Sequence, residues 1–252
     1  MARVKFTAAV DQIVGKLNGS VFGKGRSGAW VRSKSRPTVR TTPRVQAVKA
    51  RFAALSMLFR TLSPDAIEAW NGAVGDWLRT NIFGDTVRPS GFNLFMQLNL
   101  NVMNALGSDE ASILYPPAPE EMIFLTTLGL NFQNGDGAVD PVVPNILEYE
   151  FSDVAPFTIL SNFRLVFEAT APISAGKTYI GRNEYRVIAS LSGTIPAGTN
   201  DIAPEYNAVF GYEAAGTLPV GKNIWVRAYF VNVETGQRGT PAVFWRRIAP
   251  NV

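Results

Sequence analysis

Apolar residues recur at Val45, Val48, Phe52, Leu55 and Phe59, spacings of three and four that place all five on one face of a helix. Thr42 stands where an N-cap belongs, and Pro43 takes the first helical position, where its missing N–H costs nothing. Arg44, Lys49, Arg51 and Arg60 fall off the stripe, on flanks that stay wet. A second helix is expected in "SPDAIEAWNGAVGDWLR", capped by Ser63 and striped by Ile67, Trp70, Val74 and Trp77. Only Thr61-Leu62 separates the two, so they form a helical hairpin or a bent pair. A third helix is expected in "SGFNLFMQLNLNVMNALG", with Phe92, Phe95, Val102 and Leu106 inward and Gly107 as its stop. Asn99 shares that inward face and needs a hydrogen-bond partner if buried.

Past the Pro-rich stretch "YPPAPEE", residues 115–121, the apolar period shortens toward two. Strands are expected in "MIFLTTLGLNF", "ILEYEF", "NFRLVFEAT", "EYRVIASL", "EYNAVFGYE", "KNIWVRAYFVNV" and "PAVFWRRI", separated by turn formers such as "NGDG", "SAGK", "PAGTN" and "ETGQRG". Ile224, Val226, Ala228 and Phe230 make an inward row, with Arg227 and Tyr229 on the opposite face, and Gly236 lies in the polar tip of the last hairpin. Short strands at this spacing predict a sandwich of immunoglobulin or fibronectin type III kind. The expected organisation is therefore α+β: a basic extended arm over 1–42, a helical domain of three helices over 43–114, a linker over 115–121 and an Ig-like all-β sandwich over 122–252.

Residues 1–42 carry no sustained period and read as an extended arm with one or two short strands, either ordered by a partner surface or packed on its own domain. Charge sharpens this picture. The first 60 residues hold 13 bases against the single acid Asp11, a net of +12, leaving 11 bases and 19 acids, a net of −8, for the other 192. Lys24, Arg26, Trp30, Arg32, Lys34, Arg36, Arg40 and Arg44 are the candidate partner-binding residues of the arm. Three readings stay open: an arm that lies on an acidic protein neighbour, a nucleic-acid site with Trp30 stacking on a base, and a solvated or intramolecular face.

The chain has no Cys and no His, which removes thiolate and imidazole zinc sites, disulfides and every Ser-His or Cys-His nucleophile. "GKGRSG" is not a phosphate-binding loop, since it lacks the Gly-x-x-x-x-Gly-Lys-Ser/Thr spacing and no apolar strand leads into it. The acid pairs Asp109-Glu110, Glu120-Glu121 and Glu148/Glu150 read as solvated or base-facing rather than catalytic, and "NGDGAVD" reads as a tight turn without the Glu of a calcium loop. No enzyme activity and no cofactor is expected. Trp225, Tyr229 and Trp245, on adjacent strands, form a candidate aromatic surface for sugar or protein. Asp11 interrupts the run a secretory leader would need, and no apolar run approaches the ~20 residues that span a bilayer, so no membrane partner is expected.

The order "GSVFGKGRSGAWVRSKSRPTVRTTPRVQAVKARFAALSMLFRTLSPDAIEAW", then "SGFNLFMQLNLN", then a Pro-Pro linker and a fibronectin-like region resembles a group of phage and prophage proteins of unassigned or virion-structural description. The resemblance covers roughly residues 15 to 118. Its elements are Gly28, Arg32, Pro37, Gln46, Arg51, Phe52, Leu62, Trp70, Gly91, Phe95 and Asn99. It implies a structural part of a virus particle, made in the host cytoplasm and present as a homo-oligomer among other virion proteins. The chain lacks the length and long helices of a portal and the repeats of a receptor-binding fibre, and a tail, neck or ring position is slightly favoured over capsid decoration. The alternatives are a nucleic-acid-binding protein that uses the arm and a carbohydrate-binding module that uses the sandwich.

Overall fold

The computed structural model describes residues 2–4, 13–25, 28–34, 42–81, 83–120, 122, 130–133, 148–151, 157–177, 179–196, 200–211 and 221–247. These are α+β, and they fall into two compact units, Met1–Gln97 with Ile113–Pro119, and Leu98–Ser112 with Glu120–Val252. The units divide inside the third helix, whereas sequence placed the boundary at the 115–121 linker.

The first unit opens with β1 (Ala2–Val4), β2 (Gly15–Leu17), β3 (Ser20–Gly25) and β4 (Gly28–Ser33), joined antiparallel in the order β1-β4-β3-β2. Of the stretch expected as an extended arm with one or two short strands, most of the described residues thus lie in one four-stranded sheet. Its first hairpin turns on Asn18-Gly19, with Asn18 at φ +50°, the Asn-Gly pair that two-residue hairpins favour because its left-handed backbone matches strand twist. Across the next pair, Trp30 lies opposite Gly23, and a side chain at Gly23 would run into the indole ring. The glycine therefore makes room for the tryptophan to lie along the sheet.

Helix α1 (Pro43–Thr61) begins as expected, with the Val45 N–H donating to Thr42 Oγ1, and α2 (Pro64–Gly72) with the Ala66 N–H donating to Ser63 Oγ. Helix α2 stops sooner than its pattern predicts, passing through a 3-10 turn at Ala73–Gly75 into the short hairpin β5 (Arg79–Thr80) and β6 (Thr86–Val87). Helix α3 (Gly91–Leu106) starts hard against α2. A Cβ on Gly91 would meet the Trp70 carbonyl carbon at 2.8 Å and the Asn71 side chain at 2.6 Å. This approach lets Trp70 stack edge-on against Phe95 at 5.4 Å and donate from Nε1 to the Leu114 carbonyl at 2.9 Å. The helix ends at Gly107, whose φ of +65° lets the Ser108 N–H return to the Met103 carbonyl. Phe95, Asn99 and Val102 are buried as expected and Asn99 is partnered, but Leu106 points outward at 45 % exposure.

The second unit contains two larger sheets. One orders β11 (Arg186–Leu191), β10 (Phe163–Ala169), β14 (Asn223–Asn232) and β15 (Ala242–Arg247); the other orders β13 (Asn200–Asp201), β8 (Glu148–Phe151) and β7 (Leu130–Gln133). A small pair, β9 (Phe157–Thr158) with β12 (Thr194–Ile195), completes the described strands. Tyr149 of β8 and Phe167 of β10 meet at 4.9 Å inside a shared core that includes Leu165, Ile224, Val226, Ala228 and Phe230, the inward row read from alternation. Of "EYNAVFGYE", expected as a strand, residues 212 and 213 lie outside the described residues, and residues 205–210 instead lie in α4 (Ala203–Phe210). Pro204 sits in its first turn, the Ala203 N–H donates to Asp201 Oδ1, and Gly211 ends it at φ +79°; Tyr206, Val209 and Phe210 then face the core at helical spacing. The first expected strand and the "NGDG" turn lie largely outside the described residues.

The outer face of the four-stranded sheet is covered by the second half of α3. Ala105 packs with Val166, Tyr229 and Val231, Ser190 Oγ donates to the Ala105 carbonyl, and Asn101 Nδ2 donates to the Gly236 carbonyl at 2.9 Å. Gly236, at φ +70°, is pressed under α3, with room for a Cβ only 2.5 Å from the Leu98 carbonyl oxygen. Gly236→Ala therefore meets both left-handed strain and a helix backbone, and should cost about 2–4 kcal/mol in urea unfolding. Gly193→Ala, at φ +81° with open space around it, should cost only about 1–2 kcal/mol; equal losses would mean the close approach contributes nothing.

Candidate functional site

Register fixes where the sheet's cations stand. Lys16, Val21 and Arg32 are cross-strand neighbours on the face that also carries Trp30, while Lys24 pairs with Ala29 on the face of Phe22 and Val31. Lys16, Lys24, Arg32 and Lys34 are exposed and Trp30 is half-buried over Gly23. The described bases are thus split between two faces instead of forming one stripe. Arg26, Arg36 and Arg40 lie outside the described residues. Arg44 is exposed in the first turn of α1.

The α1 stripe is covered along only part of its length. Leu55 is 1 % exposed, and Phe59 sets its ring against Phe92 and Phe95 at 5.3 and 5.2 Å. One and two turns earlier, Phe52 is 51 % and Val48 58 % exposed. Periodicity placed all five stripe residues on one face; the structure buries Leu55, half-buries Val45 and leaves Val48 and Phe52 exposed. Ile13, Val14, Leu17 and Met57 are exposed as well, so six of the fifteen large apolar residues exposed among the described ones fall within residues 13–57. That is also the most basic part of the chain, so exposed apolar area and positive charge coincide there.

On the second unit, Trp225 and Trp245 stand directly opposite each other on β14 and β15, ring centroids 6.3 Å apart, with Trp245 half exposed. Tyr229, grouped with them from sequence, is not part of this surface. It is buried, its hydroxyl donates to Glu168 Oε1 at 2.8 Å, and the Arg238 guanidinium covers its ring at 3.6 Å. The Arg227 Nε donates to Glu168 Oε2, and the Arg227 guanidinium also lies 4.0 Å over the Tyr185 ring. Glu168 escaped sequence reading, although alternation along β10 places it on the Arg227 side. Its two oxygens are shared between a guanidinium and a phenol, an arrangement suited to holding β10 to β14 rather than to accepting a proton from a substrate.

No family model, curated protein or solved structure matches the chain. Among the described residues no group of acids is placed to hold a metal ion, and no helix is long and apolar enough to cross a membrane. The two places with distinctive surface chemistry are therefore the basic, apolar N-terminal region and the Trp225–Trp245 pair.

Burial, and after it the Glu168 charge, push the Tyr229 phenol well above its ordinary value; burial and then Glu205 push Tyr149 up to about 12. A phenol raised in the folded state contributes stability below its unfolded pKa of about 10 and loses it as pH climbs through the folded value. The urea midpoint should therefore fall above about pH 10, and the advantage of wild type over Tyr229→Phe, about 1–3 kcal/mol at pH 8, should shrink over the same range. Glu168→Ala, which strands Arg227 with its side chain only 13 % exposed, should cost about 3 kcal/mol at pH 8. A pH-independent gap between wild type and Tyr229→Phe would sink the assignment.

Proposed function

We propose that the chain is a non-enzymatic structural component of a bacteriophage virion that assembles through its basic N-terminal region. It would be present in several symmetry-related copies, in a tail, neck or ring position in preference to capsid decoration. The observation that carries this reading is the coincidence of net charge +12 with exposed Val48, Phe52, Leu17 and Val14 in one region. Phosphate binding calls for cations and gains nothing from exposed aliphatic side chains, whereas a protein partner uses both.

The resemblance to phage structural proteins adds support, since three of its elements, Trp70, Gly91 and Phe95, meet in the contact that seats α3 on α2. The β region is read as an Ig/fibronectin-like sandwich. Its support is strand order: with β7, β8, β10, β11, β13, β14 and β15 taken as A, B, C, C′, E, F and G, the sheets run E-B-A and C′-C-F-G. Such modules serve as surface or joining domains on many assemblies.

Removing residues 1–41 keeps Thr42 as the cap of α1. It should leave a chain that is folded by circular dichroism yet absent from purified particles; full incorporation of the truncated chain would overturn the proposal. Nuclease-treated full-length protein should not retard duplex DNA at low salt, and retardation that falls steeply with salt would transfer the basic region to nucleic acid.

A second reading, a carbohydrate-binding surface module, is favoured by Trp225 and Trp245, whose paired rings offer a platform for the apolar face of a sugar. In that case the full chain binds members of a glycan array and Trp245→Ala abolishes the signal; a blank array removes this reading.

A further inference from the structure

We infer that the N-terminal half of α1 is a docking helix for a second copy of this chain, seated head to tail on the acid-bearing part of its neighbour; the inference rests on the assembly reading above. The apolar stripe of α1 is one continuous surface. Its lower part is already an interface, with Leu55 fully buried and Phe59 locked between Phe92 and Phe95. Its upper part, Val48 and Phe52 with Val45 half-buried beside them, extends that same face beyond the residues that cover it. A helix gains most of its stability from packing of its apolar face, so a surface that covers Val48 and Phe52 also stabilises α1 itself.

Charge identifies the occupant. Lys49 is exposed beside the stripe, Arg44 and Arg51 flank it, and the first turn of α1 contains no acid. A two-fold contact of α1 with α1 would bring Arg44, Lys49, Arg51 and Arg60, with no acid on the helix, against the same four bases of its own copy. Residues 61–252 of the same chain carry net −8, so every copy offers a net-acidic body as a counterpart to the basic helix. A contact between different surfaces of identical chains is heterologous, and it propagates into a closed ring or an open helical stack instead of stopping at a dimer.

Sedimentation velocity of the full chain over roughly 1–100 μM, at about 50 and 500 mM salt, tests this. The expected result is self-association beyond the dimer that grows with concentration and weakens in high salt. Phe52→Glu should weaken it about tenfold or more, and Lys49→Glu, which leaves the stripe untouched, should weaken it at low salt only. Both positions are exposed, so both variants should keep the wild-type circular dichroism. A monomer at every concentration, a species that stops at the dimer, or an oligomer unmoved by both substitutions would overturn the inference. A monomeric full chain that still enters particles, and loses entry without residues 1–41, would remove this inference and leave the assembly reading intact.

Discussion

Strand β14 has to bury both of its faces at once, and the second unit is arranged around that demand. One face is aliphatic and aromatic, Ile224, Val226, Ala228 and Phe230, and closes the core shared by the two larger sheets. The other bears Arg227 and Tyr229, which are costly to bury unless every polar atom finds a partner. Glu168, on the adjacent strand at the register position opposite Arg227, supplies one oxygen to each. Once that network is closed the outer face can be roofed, and the second half of α3 does so through Ala105, Asn101 and the backbone laid over Gly236. The turn after β14 is held by the same requirement. Asn232 accepts from the Glu234 and Thr235 amides and donates to Glu120, whose own N–H donates to Gln237.

Local signals in the sequence were reliable where local chemistry decides the outcome. Thr42 and Ser63 cap their helices through their own side chains, Gly107 stops α3, and alternation along β14 sorts its residues to the correct faces. Failures arose where two local codes overlapped or where the partner surface is distant in sequence. "EYNAVFGYE" is rich in the aromatic residues of a strand, and Tyr206 and Phe210, four apart, share a face under either period; Asp201, Pro204 and Gly211 spell a helix start and stop around it, and Val209 joins the same face only at helical spacing. The N-terminal sheet was foretold by Asn18-Gly19, a signal hidden by the surrounding Gly, Ser and Lys content that suggests an unstructured arm. Glu168 and Arg227 are 59 residues apart, and only strand register brings them together.

The candidate surfaces show the same limit from the other side. A helical stripe reveals that α1 is amphipathic, but not how far along its length the protein itself supplies a cover. Val48 and Leu55 are equivalent in the pattern and opposite in burial. Grouping Trp225, Tyr229 and Trp245 by strand face was sound, since all three lie on one face; what separates them is the helix and guanidinium that cover only Tyr229. Amphipathicity in a sequence therefore marks a surface that needs covering, and structure is required to say which part of that need the chain meets alone.

That distinction bears on how charge and apolar area act together at the N-terminus. Exposed surface charge by itself is weakly stabilising and strongly screened, and exposed aliphatic area by itself promotes indiscriminate association. In the head-to-tail contact proposed above the two would divide the labour: the basic segment would disfavour its own copy and favour an acidic counterpart, and burial of Val48 and Phe52 would add affinity that salt does not screen. Under that proposal the charge imbalance between the first 60 residues and the remainder would act as an orientation device, penalising symmetric pairing while leaving head-to-tail contact favourable. A chain that must build a ring or tube and avoid closing as a dimer needs both halves of that device.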